Sequence, residues 1–386
     1  MAGEPSGPRF DLSEEQELLR RELRRFAEER IAPEAAARDR EHRFPAELVP
    51  EMAELGLFGM LVPEEYGGIG LDPLSYVVAV SEISRLCPSL GVTMSVCNSV
   101  CCWPIVHFGS EELKRRVLPQ LAAGEALGGF GLTEPGSGSD AAGLQTRAVR
   151  DGDEWVLDGE KAWITNAGIG HWFVVLARTG DDPGHRGISA FVVPADAPGF
   201  GVGKREEKMG LHASVTASLQ FTGCRVPEAN RLGELGQGFK IALATLDHSR
   251  LGIAAQALGI HERALELAVA YAGDRTQFGV PIARHQAIRF QIAQMATELE
   301  ASRALTWAAA SREHAGDAGR WASEAKLYAS EAANRACYAS LQIHGGNGFS
   351  EEYEIAKLYR DVRVTAIYEG TSEMQRLVIA RKLARA

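Results

Sequence analysis

The sequence predicts an α+β fold in which a β region lies between two helical regions. A capping-box pattern at Ser13-Glu14-Glu15-Gln16 is followed by apolar residues at helical spacing. Short β-forming runs such as 172–176 and 188–193 occupy the middle of the chain, and long stripes of apolar and small residues follow them. We therefore expect three domains: an N-terminal helical domain at 1–127, a middle β domain at 128–238 and a C-terminal helical domain at 239–386.

Composition narrows the classes of partner. The chain has 386 residues and a net charge of -10, which disfavours nonspecific attachment to nucleic acid or to an anionic membrane. We find no apolar run approaching the roughly 18 residues of a membrane span, and Met1 to Phe10 lacks the plan of a secretory signal. A cytoplasmic protein without a membrane partner is expected.

The six cysteines indicate neither a disulfide framework nor a metal centre. They form no C-x-x-C pair and have no companion histidines at zinc-ligand spacing. Buried free thiols are the favoured interpretation, with a redox or metal role for Cys101 and Cys102 as the alternative. The six positions are Cys87, Cys97, Cys101, Cys102, Cys224 and Cys337.

Two long helices are predicted in the C-terminal third. The first carries a stripe from Leu251 to Ala272 and stops at Gly273, and the second starts from Pro281. His261 lies on the first stripe, where we expect a packed histidine rather than a catalytic one.

One segment matches the residue pattern of a dinucleotide-binding fingerprint but lacks its structural context. Residues 136–141 match G-x-G-x-x-A, but Pro135 precedes them and β-type segments follow without a crossover helix. A nicotinamide site is therefore disfavoured. The glycine-rich loop, residues 130–140, instead offers hydroxyls and free N–H groups to a polar planar ligand or a phosphate, or is an ordinary turn.

Three further segments fit a ligand site as well as a structural role. Trp163 and Thr165 alternate with Ile164, so a strand would project both to one face. Residues 342–348 form a Gly-rich bend after a helix, where backbone can approach a ligand or simply cap the helix. Glu369 precedes a glycine in a loop, where a carboxylate is usually a solvated charge.

Together, in this order and spacing, residues 130–140, 161–166, 342–348 and 368–373 resemble the acyl-CoA dehydrogenase family over nearly the whole chain. The resemblance implies an N-terminal α-helical domain, a middle β-barrel domain and a C-terminal four-helix bundle. It also implies FAD and the α,β-dehydrogenation of a short- or medium-chain acyl-CoA to the trans-2-enoyl-CoA. An electron-transfer flavoprotein as acceptor and a homotetramer built as a dimer of dimers would follow.

The resemblance assigns roles to individual residues. Glu369 matches the catalytic base, which removes the α-proton while the β-hydride passes to the flavin. The implied FAD contacts are Phe130, Leu132, Thr133, Ser139, Trp163, Thr165, Arg275, Gln277, Phe278, Gln286, Gln342, Gly345, Gly346, Thr371 and Glu373, some of them reaching FAD from a neighbouring subunit. The implied substrate contacts are Ser139, Asp247, Arg250, Tyr368 and Gly370.

The chain departs from the family pattern at a few positions. Ala167 stands where glycine is usual, Phe349 where tyrosine is common and His212 where arginine is frequent. Ser249 occupies the position where the isovaleryl and long-chain enzymes carry their base, so the base is assigned to Glu369. Gly91 occupies the position of the arginine that serves the glutaryl-CoA enzymes. Two alternatives stay open: an acyl-CoA oxidase-like enzyme, and a catalytically silent CoA-binding protein on the same fold.

Overall fold

The computed structural model describes residues 10–180, 184–312 and 315–384. Met1 to Arg9, which carry the prediction about a secretory signal, lie outside these ranges. The N-terminal third is helical. Its helices are α1 (Glu14–Phe26), α2 (Ala32–Arg40), α3 (Leu48–Glu54), α4 (Pro73–Leu86), α5 (Pro88–Val96), α6 (Trp103–Phe108) and α7 (Glu111–Ala122).

The predicted capping box at the start of α1 is confirmed. The Ser13 hydroxyl accepts a hydrogen bond from the Gln16 N–H, and the Gln16 side chain accepts one from the Ser13 N–H. Two orphan donors of the first turn are thus satisfied reciprocally. The Gln16 amide also donates to Asp72, the N-cap of α4, so the two helix starts are tied together.

The stretch Pro88–Phe108 joins α5 and α6 through a π-helical segment at Cys97–Cys102. Its 21 residues are long and apolar enough to cross a membrane, which our expectation from sequence missed because scattered Ser, Thr and Asn interrupt the run. The protein buries 89% of its most apolar window, as is expected of a core helix.

The middle region is one eight-stranded sheet that wraps around its own apolar core. Its order is β6-β7-β3-β2-β4-β5-β8, and β1 pairs with β4 in parallel. Trp155, Phe173, Phe191 and Phe221 meet inside it from four different strands. The strands are β1 (Gly128–Gly131), β2 (Arg147–Asp151), β3 (Glu154–Thr165), β4 (Trp172–Arg178), β5 (Ile188–Pro194), β6 (Phe200–Arg205), β7 (Thr216–Pro227) and β8 (Arg231–Leu232).

Long helices form the C-terminal region. They are α8 (Gly238–Asp274), α9 (Gln286–Ala310), α10 (Ala318–His344), α11 (Glu354–Val362) and α12 (Ser372–Leu383), with a short hairpin of β9 (Thr276–Gln277) and β10 (Val280–Pro281) after α8. The helix predicted from Pro281 begins only at Gln286, because β10 and a 3-10 turn at Ile282–Arg284 precede it.

Packing explains the residues that sequence assigned to the core. His261 is fully buried and hydrogen bonds to the Met295 carbonyl at 2.9 Å, and burial lowers its pKa to about 4. All six cysteines are free and buried, and burial raises the pKa of Cys97 to about 12. In the described part of the chain, no cluster of residues could hold a metal ion. The expectations of a packed histidine and of buried free thiols are confirmed.

Candidate active site

Glu369 lies in the turn between the helical segment Arg363–Ala366 and α12, in a left-handed backbone conformation. Its φ is 52°, and the next residue, Gly370, has φ 93°. A φ of 93° is a conformation that L side chains rarely adopt, and a Cβ at position 370 would also stand 2.7 Å from the Gln375 amide nitrogen, so glycine is favoured there. Left-handed backbone at a non-glycine residue is costly and persists where the surroundings impose it.

The Glu369 residue is half-buried, and its carboxyl is turned into the protein. Burial raises its pKa to about 7, while a hydrogen bond with Ser249 and the charges of Lys326 and Arg250 oppose the rise. Its Oε2 atom is buried without a hydrogen-bond partner. A carboxylate with a pKa near neutrality and an unoccupied acceptor atom is suited to take a proton from a ligand.

Lys326 on α10 and Gln375 on α12 hold the turn by hydrogen bonds, and sequence reasoning missed both. Lys326, fully buried on α10, donates from Nζ to the Gly370 carbonyl at 2.7 Å. The Gln375 amide donates to the Gly370 carbonyl at 2.8 Å and to the Glu369 carbonyl at 3.2 Å. Lys326 follows Ala322 and precedes Ala329 on a buried alanine stripe, which was the available sequence signal.

Asp247 and Arg250, both predicted as substrate contacts, form an ion pair with each other on α8. Arg250 also donates to the Ser323 hydroxyl at 3.2 Å and lies buried between α8 and α10. Its charge therefore acts on Glu369 from within the protein, while the Asp247 side chain stays 39% exposed.

A small apolar cluster adjoins the Glu369 turn. Val92, Val96 and Val100 lie one helical turn apart on one face of the Pro88–Phe108 stretch and meet Leu211 there, with Phe130, Val364 and Tyr368 packed against them. Beside the cluster, the Tyr368 hydroxyl donates to Gln256, whose amide donates to the Pro88 carbonyl at 2.9 Å. A hydrogen-bonded polar pair therefore lies beside this apolar cluster.

A buried ion pair between Lys161 and Glu134 holds the glycine-rich loop in place. The Lys161 ammonium contacts Glu134 at 2.7 Å and the Leu132 carbonyl at 3.2 Å. Glu134 also accepts the N–H groups of Gln145 and Thr146 at 2.5 and 2.8 Å. Residues 134 and 137 bridge to each other, and a single 3-10 turn at Ala141–Gly143 follows, so the fingerprint at 136–141 opens no α-helix, as predicted.

Trp163 departs from the regular strand predicted for it. β3 shifts register between Lys161 and Ile164, and Trp163 has φ 61° at this bulge, but buried Ile164 still alternates with Trp163 and Thr165. The indole is 60% exposed, whereas Thr165 is half-buried. Ala167 fits without glycine because the left-handed positions on either side are Asn166 and Gly168.

The remaining predicted cofactor residues lie on exposed surface of the C-terminal region. Arg275, Gln277 and Phe278 lie on or beside the β9–β10 hairpin, with Phe278 93% exposed, and Gln286 starts α9. Gln342 lies in the last turn of α10, and Gly345 and Gly346 begin the 3-10 segment Gly345–Phe349 that follows it. Thr371 caps α12 by accepting the Met374 N–H at 3.3 Å, and Glu373 is exposed in the first turn.

These features fit a large ligand with an aromatic part and phosphates. Added Cβ atoms at Gly136, Gly138, Gly345 and Gly346 would meet nothing within 4 Å, so the backbone there is open to close approach. The exposed Trp163 indole offers a flat apolar face, and the Arg275 guanidinium is suited to paired phosphate oxygens.

Profiles of three domains match the chain in order. They are the acyl-CoA dehydrogenase N-terminal domain at residues 13–125, the middle domain at 129–224 and the C-terminal domain at 236–384. A mitochondrial short-chain specific acyl-CoA dehydrogenase of Bos taurus is 50% identical over 377 residues, covering 97% of this chain and 92% of that protein.

Solved structures agree over the full length. Butyryl-CoA dehydrogenase from Megasphaera elsdenii superposes with a TM-score of 0.95 at 42% identity, over 97% of this chain and 100% of that one. A chain from the structure of an electron transferring flavoprotein of Acidaminococcus fermentans gives 0.96 at 44% identity, over 98% and 100%. A glutaryl-CoA dehydrogenase from Mycobacterium smegmatis in complex with FADH2 gives 0.91 at 33%, over 97% and 96%. The chain therefore belongs to the acyl-CoA dehydrogenase family of flavoprotein oxidoreductases that act on acyl-CoA.

Proposed function

We propose that this enzyme converts a short-chain acyl-CoA to its trans-2-enoyl-CoA with Glu369 as the catalytic base. The observation that carries the proposal is the buried Glu369 carboxyl, whose pKa is raised to about 7 and whose Oε2 atom is free to accept a proton. An α-proton of a thioester is weakly acidic, so its removal needs a base poised near working pH and shielded from water.

The residues of the chain divide the remaining tasks. Lys326 and Gln375 hydrogen bond to the left-handed turn at Glu369 and Gly370. This turn fixes the direction of the Glu369 carboxylate. The cluster of Val92, Val96, Val100 and Tyr368 surrounds the acyl chain and excludes water. By family resemblance, the Glu369 backbone N–H polarises the thioester carbonyl and stabilises the enolate-like charge.

FAD is the proposed cofactor, and when bound it supplies the hydride acceptor. The glycine-rich loop, the exposed Trp163 indole and Thr165 are proposed to hold its ring system. Arg275, Gln286 and Gln342 are proposed to hold its pyrophosphate and adenosine part in a neighbouring subunit, which would require at least a dimer. Support comes from the exposure of these residues and from the FADH2 complex of the Mycobacterium smegmatis protein.

A short acyl chain is favoured by the polar pair beside the apolar cluster. Gln256 is fully buried and is held by both Tyr368 and the Pro88 carbonyl, so a long chain would have to break these bonds or pass around them. The likeness to the Bos taurus and Megasphaera elsdenii enzymes supports the same size class.

Anaerobic titration of the purified holoprotein tests the proposal. Butyryl-CoA should bleach the flavin absorbance, octanoyl-CoA should do so more weakly, and the reduced enzyme should pass electrons to an electron-transfer flavoprotein. Rapid peroxide formation in air would instead identify an oxidase, and a flavin that no acyl-CoA bleaches would identify a silent binding protein.

Glutaryl-CoA should be a poor substrate because its second carboxylate would enter an apolar space without a counter-ion. Position 91 supplies none because it is a glycine, and residues 88–99 contain no Arg or Lys. We expect kcat/KM for glutaryl-CoA to be lower than for butyryl-CoA by at least ~10²-fold, the scale set by an unpaired buried charge. Equal efficiency would show that the acyl space is assigned wrongly.

A homotetramer, as a dimer of dimers, is proposed from the resemblance. Light scattering on the holoprotein checks it. A monomer with full flavin occupancy would contradict both the tetramer and the proposed contribution of Arg275 and Gln342 from a neighbouring subunit.

A further inference from the structure

Three buried lysines in the described residues are held in two different ways. Lys161 contacts Glu134 at 2.7 Å, and Lys357 contacts Asp361 at 2.5 Å. The hydrogen bond of Lys326 goes instead to a backbone carbonyl, that of Gly370, at 2.7 Å. Burying an ammonium without a carboxylate in direct contact is costly, so a site that retains one calls for a further reason.

That carbonyl belongs to the residue after the proposed base. The bond therefore draws the ammonium to a turn whose backbone is left-handed at two successive residues, Glu369 and Gly370. It also brings a positive charge close enough to Glu369 that each group acts on the other: the charge of Glu369 raises the pKa of Lys326, and the charge of Lys326 lowers that of Glu369.

We propose that Lys326 is a positioning residue whose buried ammonium fixes the Glu369–Gly370 turn and keeps the Glu369 carboxylate ionised for proton abstraction. The inference rests on the proposed function, since it assigns to Lys326 the tuning of the base named there. Lys326 acts through Glu369 and is not itself assigned a contact with substrate.

The other charges around the pair do not replace this role. From α8, Arg250 faces both groups, but Asp247 already neutralises it through a direct ion pair. From α12, Glu373 is exposed and lies 3.6 Å from Arg376. From α10 itself, Glu331 pairs with Arg376. Lys326 is thus the cation in this set that has no carboxylate of its own in direct contact.

Burial lowers the pKa of Lys326 to about 8, so the ammonium is charged through the neutral range where Glu369 ionises. Loss of that charge should raise the Glu369 pKa and move the rise of the reaction rate with pH to more alkaline values. Below the wild-type midpoint, a shift of about one pH unit lowers the ionised fraction about tenfold.

The test compares Lys326→Gln, which keeps a donor for the Gly370 carbonyl but loses the charge, with Lys326→Arg, which keeps the charge. Flavin reduction by butyryl-CoA is followed by anaerobic stopped flow from pH 6 to pH 9.5 on holoproteins of checked flavin content. For Lys326→Gln we expect a rate about tenfold lower at pH 6.5, recovery to within about threefold at pH 9.5 and a midpoint about one unit higher. Lys326→Arg should keep the wild-type midpoint.

Arg376→Gln is the matched control, because it removes a 52% exposed cation near the same turn and should leave the midpoint unchanged. A second readout needs no turnover. The infrared band of the protonated Glu369 carboxyl, identified by its loss in Glu369→Gln, should persist to higher pH in Lys326→Gln.

The outcomes separate the two proposals. If butyryl-CoA does not bleach the wild-type flavin, the proposed function fails, and the infrared titration still tests the pairing of Lys326 with Glu369. If wild type is bleached but Lys326→Gln slows the reaction equally at every pH, or leaves the carboxyl band unmoved, Lys326 supports only the backbone and the inference is overturned.

Discussion

Lys161 and Lys326 are both fully buried, and burial lowers the pKa of each to about 8, yet their surroundings differ. Lys161 touches a carboxylate, Glu134, which also accepts two backbone N–H groups. Lys326 touches a carbonyl, and the carboxyl it influences, Glu369, keeps one oxygen without a partner.

The two glutamates respond in opposite directions. Burial raises the pKa of Glu134, but Lys161 and the hydrogen bonds from Thr146 and Gln145 more than offset this, and its pKa lies below the usual value. For Glu369, burial prevails and the pKa rises to about 7. The number of donors that reach the carboxylate therefore separates the structural carboxylate Glu134 from the reactive carboxylate Glu369.

The largest effect is expected from Glu134→Gln. It leaves the Lys161 ammonium buried without a counter-ion, which should cost about 3–5 kcal/mol of unfolding free energy and release flavin because the glycine-rich loop loses its support. Thermal melts and the ratio of flavin to protein measure this. The control variant Glu160→Gln, at an exposed position nearby, should change neither quantity. A Glu134→Gln protein that is as stable as wild type and retains its full flavin content would contradict the structural role assigned to the Lys161–Glu134 ion pair.

Glu369→Gln should preserve the fold and flavin content while lowering the rate of flavin reduction by at least ~10²-fold, because it removes the base and little volume. Stopped-flow reduction by butyryl-CoA is the measurement. A near-normal rate would place the base elsewhere.

The same variant should be more stable than wild type at pH 8. A carboxyl whose pKa is raised by folding disfavours the folded state once the pH passes the unfolded value, and this penalty is complete above about pH 7. Glu369→Gln removes it, so we expect a gain of about 1–3 kcal/mol at pH 8 that disappears below about pH 5. Denaturant unfolding at both pH values checks the sign, and a loss of stability at pH 8 would contradict it.

Ser249→Ala should have the smallest effect. The hydrogen bond with Ser249 lowers the Glu369 pKa, so its removal should move the midpoint of the rate profile upward by less than about one pH unit. A downward shift would mean that the Ser249 hydroxyl instead accepts a hydrogen bond from the protonated Glu369 carboxyl.

Local patterns predicted local structure well. The capping box of α1, the strands at 172–178 and 188–194, and the packed His261 all follow from periodicity and from side-chain chemistry within a few residues. The helix start at Gln286 was misplaced because Pro281 is equally acceptable at the end of an edge strand.

Only part of the candidate site could be predicted from the sequence, and the reason is physical. Glu369 was found through the family resemblance, but its burial and raised pKa depend on Ser249 and Lys326, which lie 120 and 43 residues away along the chain and meet it across helices. The bulge at Trp163 likewise depends on the register between β3 and β7, which the sequence of β3 alone does not encode.

The buried cysteines have a practical consequence for spectroscopy. Because all six thiols are buried and burial raises their pKa values, they should react slowly with thiol-directed reagents in the native protein. A single cysteine introduced on an exposed face, for example at Val149 on β2, could therefore carry a fluorophore or spin label without removal of any natural cysteine.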